Sequence, residues 1–183
     1  MKRARALLCV VLALGACSKA RPDPCADGDA GEPVGPALLA FLSRSRSAHH
    51  RADAREEHQE WSGAETELEA IIEGPKPACP DAAEVREVLA DTYARLADLR
   101  SRHADFTAAL ADIERGVALV PDTSYFRGHL FEVRGLVEER SAKALAARGD
   151  AAGAAAAQER ALAAFQEAMR IQSDVIERTS PHH

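Results

Sequence analysis

The sequence predicts an all-α fold of about six helices in three antiparallel hairpins. Three observations carry this expectation. Alanine, leucine, glutamate and arginine dominate the 183 residues, and these are strong helix formers. Valine, isoleucine and threonine are sparse, and only 4% of residues are aromatic. Apolar residues recur at three- and four-residue steps between abrupt Pro/Gly breaks, the pattern of helices with one buried face.

The chain opens with Lys2, Arg3 and Arg5, then nine apolar residues from Ala6 to Leu14. That run is far shorter than the ~20 residues a membrane-spanning helix needs. It suits the apolar core of a secretory signal ending in small residues. Leu14-Gly15-Ala16-Cys17 follows. The run and tetrapeptide together resemble a bacterial lipoprotein signal, whose box is leucine, two small residues and cysteine. The resemblance implies cleavage before Cys17, leaving 167 residues, and acylation of Cys17 as the membrane anchor. Ser18 in place of aspartate implies the outer membrane, with the body facing the periplasm.

Residues 17–36 read as a flexible tether. Pro22, Pro24, Pro33 and Pro36 alternate with Gly28, Gly31, Gly35 and acidic residues, so little apolar area is on hand to pack. The reach of such a coil is about 25 Å. Cys25 lies in the tether and Cys79 in the body. An exported chain meets an oxidising compartment, so a Cys25–Cys79 bridge is expected. The alternatives are two separate thiols or pairing with another molecule.

Residues 37–179 form the helical domain, and 180–183 a tail. Leu38, Leu39, Phe41 and Leu42 open the first apolar face. The Gly74–Pro80 segment is a firm break, because three prolines in six residues cannot continue a helix. Asp81 is the expected N-cap of a helix starting at Ala82. The segment Pro121-Asp122-Thr123-Ser124 breaks the chain again, Gly149-Asp150 a third time, and Ser180-Pro181 ends the last helix. The alanine-rich stretch 144–157 predicts tight antiparallel packing.

A repeat runs between these breaks. Trp61-x2-Ala64-x3-Leu68-x2-Ile71 is matched by Phe106-x2-Ala109-x3-Ile113-x2-Gly116, and then by Ala161-x3-Phe165-x2-Ala168. The alanines are 45 and then 52 residues apart. His58 and His103 stand at equivalent positions before the second helices, as expected of capping or exposed residues. The spacings, with Pro121 after the middle copy, resemble the second helix of a tetratricopeptide repeat. Leu89-Ala90-x2-Tyr93 resembles that family's first helix, but Tyr93 lies seven residues too far from Phe106. Seven residues are about two helical turns, which preserves the face. The resemblance implies a right-handed α-solenoid with elongated helices. The first helices would line a concave groove, with Glu87, Asp91 and Arg95 pointing into it and Arg127 and Arg134 joining from the third hairpin.

No motif carries catalysis. Gly-x-Ser-x-Gly, His-Glu-x-x-His and Cys-x-x-Cys are absent from the sequence. His49-His50 are adjacent on a helix and diverge, His182-His183 form a tail, and Glu56-Glu57 and Glu138-Glu139 splay apart. No metal, cofactor or catalytic residue is therefore expected. The formal charge is −6 and becomes about −9 once the three basic signal residues are gone, which argues against a nucleic-acid partner. The expectation is a non-catalytic lipoprotein scaffold or assembly factor for an envelope protein or peptide. The alternative is a structural or small-ligand-carrying bundle without a groove.

Overall fold

The computed structural model describes residues 35–180, which fold into six α-helices with no strand among them. They are α1 (Pro36–Glu57), α2 (Trp61–Glu73), α3 (Ala83–Arg102), α4 (Phe106–Leu119), α5 (Tyr125–Ala147) and α6 (Ala151–Thr179). The acylation candidate Cys17, Cys25 and the tail histidines lie outside the described residues. Cys79 is disulfide-bonded, and the other three cysteines all lie outside the described residues.

Each hairpin packs internally, α1 on α2, α3 on α4 and α5 on α6, and then on its neighbour. The first helices form a row, α1–α3–α5, while α2 also touches α3, and α4 also touches α5. Neither α1 and α5 nor α2 and α4 meet, so the hairpins stack in chain order.

The breaks fall where the sequence puts them, with local corrections. Pro36 opens α1, where its missing N–H is no loss. The N-cap of α3 is Ala82, without a side-chain hydrogen bond, so Asp81 is not the cap and the helix starts at Ala83. Ser124 and Asp150 do cap, accepting from Arg127 N and Gly153 N at 3.2 and 2.8 Å. Lys76 Nζ donates to the Ile71 and Ile72 carbonyls in the last turn of α2 and to that of Gly74, the residue that caps its end.

The hairpin turns hold the clearest repeat. They are 58–60, 103–105 and 148–150, each 45 residues after the last. The backbone bonds repeat as well: Glu60 N to Arg55 O, Asp105 N to Arg100 O, Asp150 N to Leu145 O. The middle residue of each turn has positive φ: Gln59 at 61°, Ala104 at 64°, Gly149 at 83°. The true period is thus 45 throughout. The 52-residue step read from the alanines is that period plus seven residues, two turns along the same face of α6.

The core follows the expected spacing. Ala64, Leu68 and Ile71 are buried on α2, Ala109, Ile113 and Gly116 on α4, and Ala161 and Ala168 on α6. Small residues let the helices approach closely. A Cβ on Gly116 would meet Leu130 at 2.6 Å, and one on Gly135 would meet the Phe165 ring at 2.5 Å.

Candidate functional site

The row α1–α3–α5 carries a polar ladder. On α1, His49, Asp53 and Glu56 share a face at helical spacing; on α3, Asp91, Arg95, Asp98 and Arg102 do the same. Arg95 Nη2 donates to Asp53 Oδ1 at 2.6 Å and to Glu56 Oε1 at 2.7 Å. One hairpin later, Arg140 Nη1 donates to Asp98 Oδ1 at 2.7 Å and to Ser101 Oγ at 2.6 Å. Arg140, Asp98 and Ser101 each stand 45 residues after Arg95, Asp53 and Glu56. The same arginine clamp therefore joins α3 to α1 and α5 to α3. Arg102 links both steps, to Asp98 at 2.6 Å and Glu56 at 3.6 Å.

His49 is set into the first clamp. Arg95 Nη1 lies 3.4 Å from His49 Nδ1, and His49 Nε2 lies 3.1 Å from Thr92 Oγ1. A guanidinium only donates, so Nδ1 is the acceptor and Nε2 carries the hydrogen. Thr92 Oγ1 in turn donates to Val88 O at 2.7 Å. Burial pushes the His49 pKa below its usual value, Arg95 adds to that, and Asp91 opposes it. For Arg95, burial disfavours the charge, but the hydrogen bonds it donates to Glu56 and Asp53 outweigh that and raise the pKa.

At one end of the ladder lies an open hollow of about 370 Å³, walled by Ser101, Arg102, Ala104, Phe106, Arg140 and Lys143. Lys143 pairs with Glu139 and stays mostly in solvent. A second open hollow, about 230 Å³, lies between α5 and α6 beside Phe131 and Arg134. Charge on the other side of the stack is gathered by Arg100. It reaches Glu65 and Glu69 of α2 and Asp112 of α4, filling the gap between two helices that do not touch. Asp112 is wholly buried and also accepts from Arg115.

The five residues expected to form one groove divide into two places. Glu87, Asp91 and Arg95 lie along one face of α3, and Arg95 and Asp91 face His49. Arg127 and Arg134 do not join them. They flank the buried Leu130–Val137 stripe that packs on α4, so Arg127 Nη1 bonds Val120 O at 3.1 Å and Arg134 pairs with Glu114 at 3.0 Å. The sequence reading missed His49, Asp53, Glu56, Asp98 and Arg140. The Asp53/Asp98 and Arg95/Arg140 pairs at 45 residues were the available signal.

No group of three or more His, Cys, Asp or Glu could hold a metal ion among the described residues. No described helix is long and apolar enough to cross a membrane. No family model, characterised protein or solved structure matches this chain.

Proposed function

We propose that this chain is a non-catalytic interaction protein, a stack of tetratricopeptide-like hairpins held at a membrane by acylated Cys17. The observation that carries the reading is the one-sided row α1–α3–α5, kept in register by a clamp repeated every 45 residues. In such a stack the first helices line one continuous surface, the arrangement solenoids use to hold extended partners. The groove proposed here consists of Glu87 and Asp91 on α3 and the hollow beside Lys143 and Phe106. Its ligand is an extended segment of an envelope protein, carrying carboxylates for the Lys143 end and an apolar side chain for Phe106. The anchor and a Cys25–Cys79 bridge would hold this surface near the outer membrane on its periplasmic side. Both hollows are open to solvent, which favours a surface ligand over a carried small molecule.

The test is site-specific photo-cross-linking in cells making the full chain, with the reactive group at Asp91 or Lys143 and a control at Arg115 on the other side. Capture of one envelope protein from Asp91 and Lys143 but not from Arg115 supports the groove. Equal capture from all three, or none, refutes it. Palmitate labelling tests the anchor separately: Cys17→Ala should abolish the label and leave uncleaved precursor, and normal labelling would remove the lipid from the proposal.

A further inference from the structure

Each second helix of the stack receives the next hairpin on one face. On α2 that face holds Glu65 and Ile72: Glu65 pairs with Arg100 of α3 at 3.5 Å, and Ile72 packs beside Leu96 and Leu99. Forty-five residues on, Leu110 and Val117 of α4 pack against the cluster of Leu130, Val133 and Val137 on α5. Another 45 residues lead to Ala155 and Leu162 on α6, and the same face continues at seven-residue steps to Met169 and Ile176. This face meets no helix among the described residues, since α6 packs on α5 alone. Leu162, Met169 and Ile176 are 59%, 60% and 63% exposed. The positions interleaved at three- and four-residue steps are Ala152, Glu159, Gln166 and Ser173. With one charge in eight positions, the stripe has the heptad spacing of a helix-to-helix seam.

We infer that the α6 of a second copy covers this face, antiparallel, about a twofold axis. Consecutive helices of the stack run antiparallel, so an antiparallel α6 takes the place a further hairpin would occupy. A seam apolar at every seventh residue is self-complementary, as an isologous contact requires. Head-to-tail stacking of copies is disfavoured on two counts. Where α3 has Leu89 and Leu96 the outer face of α1 has exposed Arg44 and Arg51, so two guanidiniums would be buried. The clamp also fails at that junction: α1 carries His50 at the position of Arg95, and α5 carries Lys143 at the position of Asp98. Cation would then meet His instead of arginine meeting aspartate, so association closes at two copies. The seam from 152 to 176 is about 36 Å long and one helix wide. That footprint lies in the small, weak class of interfaces, below about 1,200 Å² in total. The inference depends on neither the lipid nor the groove.

Sedimentation of the full chain from about 1 μM to about 1 mM, the range of weak affinities, tests it. The expected result is a monomer–dimer equilibrium that Met169→Glu weakens at least tenfold and Arg44→Glu leaves unchanged. Helix content by circular dichroism should stay constant in both. Mixing the Met169→Glu and Leu162→Arg chains should restore dimer, because an antiparallel seam from 152 to 176 sets Met169 of one copy opposite Leu162 of the other. A monomer throughout the range, a dimer indifferent to Met169→Glu, or growth beyond two copies would each overturn the inference.

Discussion

Replacing Ser45 with alanine should make the protein more stable. Ser45 lies within α1, is only 2% exposed, and its Oγ has no hydrogen-bond partner. It is surrounded by Phe41 and Ala48 on its own helix, which belong to the cluster with Ile71, Val85 and Leu89. A buried hydroxyl that gives up water without gaining a partner costs ~1–3 kcal/mol. Alanine removes one oxygen atom and also improves helix propensity by roughly half a kcal/mol. The counterpart of Ser45, 45 residues later, is Ala90, which is fully buried. The stack itself therefore uses alanine at this position one hairpin later. A gain of about 1–2 kcal/mol follows, or about 2–8 °C in Tm for a chain of this size. Urea titration should show a higher midpoint with an unchanged slope. Ala90→Ser should lose a comparable amount. If Ser45→Ala leaves the midpoint where it was or lowers it, the hydroxyl has a partner in solution and the reasoning fails.

Four further outcomes can be measured in the same way. Ala104→Gly should stabilise by about 1 kcal/mol, because φ is +64° there and the third turn already uses Gly149; a loss on thermal melting would contradict it. Gly135→Ala should destabilise by about 1–2 kcal/mol, since its Cβ would overlap the Phe165 ring, and Gly135→Ala with Phe165→Leu should recover part of the loss. Asp112→Ala should cost about 3 kcal/mol or more by leaving Arg100 without its buried partner; a wild-type midpoint would show that Glu65 and Glu69 suffice. His49 is held neutral with a depressed pKa, so its stabilisation is complete above the unfolded value near 6.5 and is lost as pH falls from there through the folded value. The drop in stability between pH 7.5 and pH 5 should shrink in His49→Gln, and an equal drop in both chains would remove His49 as its source.

Local chemistry made most of the fold readable, and distance hid the rest. Prolines and glycines at 74–80, 121 and 149 stop helices by their own geometry, which yields four segments. The turns 58–60 and 103–105 hold neither residue, and there the repeat of Trp61 and Phe106 behind His58 and His103 is what separates the helices. Ala64, Leu68 and Ile71 declare a buried face because small and large side chains alternate at helical spacing. The period was harder. Apolar residues mark a face and not a height, so Ala161 passed for the partner of Ala109 although it sits two turns higher on the same stripe. Polar turn residues keep the height: Glu60, Asp105 and Asp150 each begin a second helix 45 residues apart. Arg127 and Arg134 were misplaced because an arginine can flank a buried stripe as readily as it can line a groove. Only the packing of Leu130 on Gly116 decides which side of α5 faces α4.

The constancy of the 45-residue period explains how the two clamps can be alike. From α2 to the end of α3 the chain runs from 61 to 102, and from α4 to the end of α5 from 106 to 147, equal lengths built differently. The second pair has a helix one residue longer and another three residues longer, offset by a linker four residues shorter. Helix lengths are thus free to vary so long as the turns 58–60, 103–105 and 148–150 fall at one edge of the stack. Measured from that edge, Asp53 and Asp98 are at the same height, as are Arg95 and Arg140, so each arginine meets the aspartate of the preceding first helix. An insertion of one residue in the Pro121–Ser124 linker should be absorbed, because it leaves every helix intact and the clamp can re-form. One residue inserted within α5 between Val137 and Arg140 turns Arg140 and the turn edge by ~100° relative to the Leu130–Val137 stripe. It takes either the clamp or the Leu130 stripe out of register, and its cost should exceed that of the linker insertion by the Arg140–Asp98 contacts. Equal losses from the two insertions would mean that the clamp follows the packing of the stack and does not set its register.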